Sequence, residues 1–190
     1  GDCLASLRDM PDASVHCCVT SPPYFGLRAY LPGDHASKAL EVGTEDTPDA
    51  YVARLVEVFR EIKRVLRDDG SLWVNLGDSY DRNKSRLMIP ARVALALQAD
   101  GWLLRDEIVW HKPRTTPAPV KDRTVAAHEM IYLLAKRRSY AFDYLAIEEP
   151  AAYAGVTRKA GKAFRDLRDC DPNAARKRPG VDREIIVRET

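Results

Sequence analysis

The sequence predicts an α/β fold whose sheet is mainly parallel at its centre. Three observations carry that expectation. An apolar, β-branched run, Val15 to Val19, is cut off by the consecutive prolines Pro22 and Pro23. An amphipathic helical pattern starting at Thr47-Pro48-Asp49 leads into a second apolar run, Ser71 to Leu76. A second helical pattern, from Pro90, leads into a third strand-like segment, Trp102 to Trp110. Strands that alternate with one-sided helices pack as crossovers, each helix covering the sheet it connects.

The elements follow in order. Leu4, Leu7 and Met10 give a short amphipathic segment that Pro11-Asp12 stops. Val15 to Val19 reads as a buried strand, short and bounded by turn chemistry. From Gly26 to Pro48 the chain is polar, with Pro32, Gly33 and Gly43. That is long for a structureless connection, and such loops usually serve function. Thr47 offers a capping hydroxyl, Pro48 fits the first helical turn and Asp49 complements the helix dipole. Tyr51, Leu55, Phe59, Ile62 and Leu66 then share one face, widened by Val52, Val58 and Val65. Asp69-Gly70 is the expected stop. The strand Ser71 to Leu76 exits into Gly77-Asp78-Ser79-Tyr80, and the join Tyr80-Asp81-Arg82-Asn83 reads as short enough to suggest missing residues. The helix from Pro90 runs through Ala94, Leu95 and Leu97 to Asp100-Gly101. After the Trp102 to Trp110 strand comes a basic, Pro-rich loop, His111 to Thr124, then a strand from Glu129 to Ala135. Ser139 to Ala146 is expected to add an edge or hairpin. Beyond Glu149 the character changes to a basic region with little apolar content, so residues 1–150 are assigned to one domain and 151–190 to a separate basic segment.

Composition sets bounds. The chain has 190 residues and a formal net charge of +2, enough for one core and too balanced to announce a nucleic-acid binder by charge alone. The four cysteines, Cys3, Cys17, Cys18 and Cys170, form no C-x-x-C pair. They read as small buried residues of a reducing compartment rather than as zinc or disulfide ligands. No apolar stretch is long enough to span a membrane and no signal peptide is visible, so a soluble, intracellular protein is expected.

The chemistry gathers at Ser21-Pro22-Pro23-Tyr24. Each proline fixes its own φ, and Pro23 also drives Pro22 out of the helical region, so the backbone leaves the strand as a rigid extended turn. Ligands of open α/β sheets bind at such carboxyl ends. A proline carbonyl and a side-chain oxygen can accept the two hydrogens of an exocyclic amine, and a ring such as Tyr24 can stack on the base that carries it. Acceptors placed for a tetrahedral nitrogen favour the transition state over the flat amine.

The stretch TSPPYFGLRAY resembles the catalytic motif of the DNA amino-methyltransferases, which modify cytosine N4 or adenine N6 with S-adenosylmethionine. The resemblance covers roughly residues 1–150. Gly1-Asp2-Cys3-Leu4 with Leu7 and Pro11-Asp12 looks like the lead-in to the catalytic strand. Gly70 to Asp78 looks like the next strand and its exit. Trp110-His111-Lys112-Pro113, Asp122-Arg123 and His128-Glu129 resemble the target-base pocket. The resemblance implies a Rossmann-like methyltransferase sheet, partly parallel with an antiparallel C-terminal hairpin, and base flipping in a restriction-modification or phage setting, within a bacterial cytoplasm and at the nucleoid. It leans to cytosine N4, because the adenine enzymes more often carry Asp in place of Ser21. The protein-modifying relatives resemble N-PPY instead.

Residue by residue, Ser21, Pro22, Pro23 and Tyr24 are expected to be catalytic, with Ser21 an acceptor and not a covalent nucleophile. Asp2, Thr20, Ser21, Asn75 and Asp78 are expected at the cofactor. For Asp2 a simple turn, and for Asp78 a cap on the following segment, are equally open readings. Double-stranded DNA is expected to meet Phe25, Arg28, Lys112, Arg114, Lys121, Arg123 and His128, the cations contacting phosphate and one of Phe25, Tyr30 or Trp110 stacking on the flipped base. His128-Glu129 is given an orienting role. The rival reading is a non-catalytic DNA-binding half of a split or degraded enzyme.

One expected part is missing. The family needs a glycine-rich turn, F-x-G-x-G, beneath the methionine portion of its cofactor, and no two glycines here are separated by a single residue. The sheet is therefore expected to be incomplete within these residues, with an exposed apolar edge, and a homodimer or a second segment is expected to supply the turn.

Overall fold

The computed structural model describes residues 2–114 and 120–147. The chain divides into two units, Gly1–Ala141 and Phe142–Thr190. The first contains α1 (Cys3–Arg8), β1 (Val15–Thr20), a 3-10 turn (Lys38–Leu40), α2 (Pro48–Val65), β2 (Leu66–Leu76), α3 (Ile89–Ala99), β3 (Leu103–His111) and β4 (His128–Ala135). The second contributes a 3-10 turn, Leu145–Ile147. That turn corrects the edge strand expected over Ser139 to Ala146. The described residues there form no strand, and Ala141 N donates singly to Asp69 O over 2.8 Å. The basic segment 151–190 lies outside the described residues.

The four strands are ordered β1-β2-β4-β3. β1 and β2 are parallel, with Cys17 opposite Ser71, Val19 opposite Trp73 and Thr20 opposite Val74. β4 runs antiparallel to both β2 and β3. Expectation and structure thus agree on a partly parallel sheet closed by an antiparallel pair. The helices pack on one face of it. Tyr51, Leu55 and Phe59 of α2 and Ile89, Val93 and Leu97 of α3 meet Leu72, Val74 and Leu76 of β2 and Tyr132 and Leu134 of β4 in one core.

Two expectations need correction. The second helix ends at Val65 and not at Asp69-Gly70, because Leu66, fully buried, already starts β2. The residues gained by the strand are absorbed in an irregular register: pairing passes from Val15–Leu66 directly to Cys17–Ser71. Gly70 permits that offset, since a Cβ there would lie 2.9 Å from the His16 carbonyl oxygen. The strand Val15 to Val19 is also not buried. Cys18 packs against the core, but Cys17 is exposed and Val19 is 78% exposed. Successive side chains alternate between faces, the helices cover one face, and among the described residues β1 is an edge strand with a neighbour on one side alone.

The join after β2 closes on itself. Asp81 N donates to Ser85 O, Leu87 N donates to Ser79 O, and Tyr80 bridges Arg86, so Ser79 to Leu87 form a compact hydrogen-bonded turn.

Candidate active site

The carboxyl ends of β1 and β2 lie side by side, and the site is assembled on them. Thr20, the last residue of β1, sits opposite Val74. The backbone then turns through Ser21 to Tyr24. Two groups from elsewhere hold this turn. Tyr51, fully buried on α2, donates its hydroxyl to the Pro23 carbonyl over 2.8 Å. Gly77, just past β2, leaves room for the Tyr24 ring: a Cβ there would fall 2.5 Å from Tyr24 Cε2. Burial pushes the Tyr51 hydroxyl well above the ordinary tyrosine pKa, so it remains a donor.

Tyr24 is the centre of a polar cluster drawn from four parts of the chain. Ser21 Oγ donates to Tyr24 Oη over 3.2 Å, and Tyr24 Oη donates to Glu129 Oε2 over 2.9 Å. Asn75 Nδ2 donates to both of those oxygens, at 3.0 and 2.9 Å. Lys112, just past the end of β3, binds the other Glu129 oxygen. Burial pushes the Glu129 carboxyl up, but hydrogen bonds from Lys112, Asn75 and Tyr24 outweigh it and hold the group below the usual carboxylate range. Tyr24 is pushed up by burial and by Glu129, against a lowering contribution from Ser21. The result is an anionic carboxylate beside a neutral phenol. Glu129 stands where the resemblance of His128-Glu129 to a target-base pocket led it to be expected in an orienting role, whereas Tyr51 and Gly77 carry no functional signal in the sequence, reading as a helix-face aromatic and a strand-exit glycine.

Ser21, Tyr24, Glu129, Arg28 and Tyr30 line a cavity of about 350 Å³. A second cleft, of about 440 Å³, lies between Asp2, Cys3, Pro23 and the loop residues Tyr30, Leu31, Leu40 and Val42. Tyr30 and Pro23 border both. The loop carrying Tyr30 is pinned at its base, where Gly26 N donates to Gly43 O over 2.8 Å. Gly43 has φ +97° and its absent Cβ would crowd Tyr24 O and Pro23 Cβ. Within the loop, Glu41 accepts from the backbone of Tyr30 and Leu31 and pairs with Lys38.

The other residues singled out from sequence divide. Asp2 caps α1, accepting from Leu4 N over 2.9 Å, and also lines the second cleft. Asn75 belongs to the Tyr24 cluster. Asp78 is turned inward: it accepts from Ile89 N at the start of α3 (2.9 Å) and from Arg86 (2.6 Å), with its side chain 6% exposed. Met88, in the left-handed region, gives α3 no side-chain cap, so Asp78 serves in its place. Phe25 packs toward the core beside Tyr51, with ring centroids 5.6 Å apart. Arg28 and Arg114 are exposed, and His128 pairs with His111 where the connection 112–127 joins β3 to β4. Lys121 and Arg123 border a further 420 Å³ depression, where Arg123 stacks 4.0 Å from the Tyr80 ring centroid. Among the described residues no cluster could hold a metal ion, and no helix is long and apolar enough to cross a membrane.

A partly parallel α/β sheet, with a rigid turn and a polar cavity at the ends of its two parallel strands, defines a ligand-binding domain of the Rossmann-like kind. The chain matches the family model N6_N4_Mtase, a DNA methylase, over residues 15–178, and it belongs to that family. It is 41% identical over 184 residues to the type II methyltransferase M.XycI of Xanthomonas campestris pv. cyanopsidis, covering 82% of this chain and 59% of that protein. To M.SmaI of Serratia marcescens it is 38% identical over 187 residues, covering 84% and 62%. The chain thus spans about three-fifths of the length of these relatives. Among solved structures it shares its fold with PvuII DNA methyltransferase, cytosine-N4-specific (TM-score 0.63, 22% identity, covering 77% of this chain and 51% of that one). It is also similar to the Thermus thermophilus protein TTHA0409 complexed with S-adenosyl-L-methionine (TM-score 0.53, 26% identity, covering 88% and 59%).

Proposed function

We propose that this chain carries the catalytic centre of a DNA methyltransferase that moves a methyl group from S-adenosylmethionine to the exocyclic amine of a flipped base, cytosine N4 in preference to adenine N6. The observation that carries the reading is the turn Ser21 to Tyr24, held rigid at the edge of a base-sized cavity. Tyr51 occupies the Pro23 carbonyl, which leaves the Pro22 carbonyl and Ser21 Oγ as acceptors for the two amine hydrogens. The amine's lone pair is delocalised into the ring, and two acceptors arranged for a tetrahedral nitrogen stabilise its pyramidal form. Tyr24 offers a stacking face, and its partners fix that face in advance. The preference for cytosine rests on Ser21, where adenine enzymes more often carry Asp.

The cleft beside the turn fits part of the cofactor. Its wall of Pro23, Leu31, Leu40 and Val42 is apolar, and Asp2 sets a carboxylate at one end. Asp2 would hold the cofactor's ammonium group, and Pro23 and Tyr30 would separate it from the base. When bound, S-adenosylmethionine supplies the electrophilic methyl group. The DNA strand would meet Arg28, Arg114, Lys121 and Arg123 through phosphate, which steers and positions without reading sequence. A cytoplasmic, nucleoid-associated site of action follows from that substrate.

Mass spectrometry of nucleosides from the DNA of cells expressing the gene tests the reading. N4-methylcytosine is the expected product. N6-methyladenine would overturn the base preference, and the absence of both would favour the non-catalytic, DNA-binding alternative.

A further inference from the structure

The hydrogen bonds around Tyr24 run in one direction, from Ser21 to Tyr24 to Glu129. Asn75 enforces that direction by donating to both Tyr24 Oη and Glu129 Oε2. Lys112 occupies Glu129 Oε1, and the Tyr24 hydroxyl is the group that links Glu129 Oε2 to Ser21. We propose that Ser21, Tyr24 and Glu129 form a relay that takes the proton released by the target amine and delivers it to the Glu129 carboxylate. The inference rests on the amine-methylation reading and extends it to the fate of the proton.

In the methyl-transfer step the amine nitrogen forms its bond to the methyl carbon, and the electrons of the old methyl–sulfur bond leave with sulfur. The nitrogen then carries a positive charge and an acidic N–H. That N–H breaks, its electron pair returns to nitrogen, and its proton goes to Ser21 Oγ. Ser21 passes its own proton to Tyr24 Oη, and Tyr24 passes its own to Glu129 Oε2. The resulting carboxylic acid returns the proton to water. A weak base suffices at the end of the chain because a cationic amine attached to an aromatic ring is a strong acid. Tyr24, whose hydroxyl resists ionisation, transmits the proton in a concerted shift and never stands as a phenolate.

The charged and titratable groups that face Glu129 are Lys112 from the end of β3, Tyr24 from the turn, and Arg28 across the shared cavity. His128, its neighbour on β4, points to the opposite face of the strand. Lys112, with the hydrogen bonds from Asn75 and Tyr24, favours the ionised carboxylate, so the relay is poised at neutral pH and fails as Glu129 becomes protonated.

Two variants test this in the active enzyme. Tyr24→Phe keeps the stacking ring and removes the middle oxygen. Glu129→Gln keeps an acceptor for Tyr24 but no carboxylate. Each should lower kcat about 10²-fold, the low end of general-base effects, with KM for DNA unchanged. Glu129→Gln should also erase the acid limb of the pH–kcat profile, and the double variant should be no slower than the slower single one. A readout independent of turnover is the carboxyl NMR titration of Glu129 in the 190-residue chain without cofactor or DNA. It should fall below the usual carboxylate range, and Tyr24→Phe should raise it. If the wild type methylates DNA and either variant keeps its kcat and acid limb, the relay is overturned. If the wild type methylates nothing even with a polypeptide carrying F-x-G-x-G supplied, the amine-methylation reading falls instead. Should Glu129→Gln fail to fold, Tyr24→Phe decides.

Discussion

Tyr24 keeps its place by packing as well as by hydrogen bonding, and its packing partner has no side chain. A methyl group at Gly77 would sit 2.5 Å from Cε2 and 2.8 Å from Cδ2 of the ring. Gly77→Ala must therefore displace the ring, at a cost of about 1–3 kcal/mol typical of overpacking. Turnover should fall with it, because the displaced ring no longer stacks on the base. Tyr24→Ala removes that platform outright, worth about 1–3 kcal/mol per base, and adding Gly77→Ala to it should cost little more. Kinetics and denaturation of the two single variants and the double variant check both statements, and additive losses in turnover would contradict them. The contrast explains what was legible at this scale. Ser21 to Tyr24 announce themselves because four adjacent residues carry the chemistry. Glu129 reaches Tyr24 across 105 positions and Tyr51 reaches Pro23 across 28. In its own segment Tyr51 is only an aromatic on an apolar helix face, and Glu129 is marked by a family resemblance but not by any link to Tyr24.

At the scale of elements, Asp78 and Glu41 do similar work in different places. Asp78 starts α3 from a distance by accepting Ile89 N and pairing with Arg86. Asp78→Ala leaves a part-buried backbone donor without its partner, so stability should fall by about 1–3 kcal/mol. With a polypeptide carrying F-x-G-x-G supplied, binding of S-adenosylmethionine should be unchanged, since the carboxylate is already spent on α3. Calorimetry beside thermal denaturation separates this from a role at the cofactor. Glu41 ties the loop between Gly26 and Gly43 to itself. The hydrogen bond from Lys38, then that from the Tyr30 amide, hold its carboxyl below the usual range against the opposing effect of burial, with Leu31 adding to the lowering. A carboxyl whose folded pKa is depressed stabilises above its unfolded pKa, and that contribution is lost as pH falls through the folded value. The Tyr30 and Leu31 amides should therefore lose protection from hydrogen exchange only below the ordinary carboxylate range, and Glu41→Gln should show the loss at neutral pH. The same scale shows where sequence patterns stop. Thr47 marks the start of α2, accepting from Ala50 N over 3.1 Å, but nothing marks its end. Leu66 fits the apolar stripe of the helix as well as the first buried position of β2, and only packing distinguishes the two.

Across the whole molecule, charge and sheet order set the two remaining expectations. A net charge of +2 gives no broad field, so binding to DNA should depend on a few placed cations. Arg114→Ala and Arg123→Ala should weaken all duplexes alike and each flatten the salt dependence, by about 0.9 in log K per log salt for one lost phosphate contact. Lys112→Ala should change that slope less, because its ammonium is bound to Glu129. A loss confined to one DNA sequence would show base reading instead. The second expectation concerns the cofactor. Among the described residues β1 is an edge of the sheet with Val19 78% exposed, and no glycine pair of the G-x-G type occurs in the chain. The cleft by Asp2 offers a carboxylate and an apolar wall, but no backbone cradle for the carboxylate end of S-adenosylmethionine. Polar groups bound without partners cost about 1–3 kcal/mol each, so several together remove orders of magnitude in affinity. Calorimetry on these 190 residues should accordingly detect weak binding or none, and a polypeptide carrying F-x-G-x-G that pairs with the β1 edge should restore it. Tight binding by the chain alone would mean that the loop around Tyr30 and Glu41 builds the cradle itself, and Glu41→Gln would then abolish it.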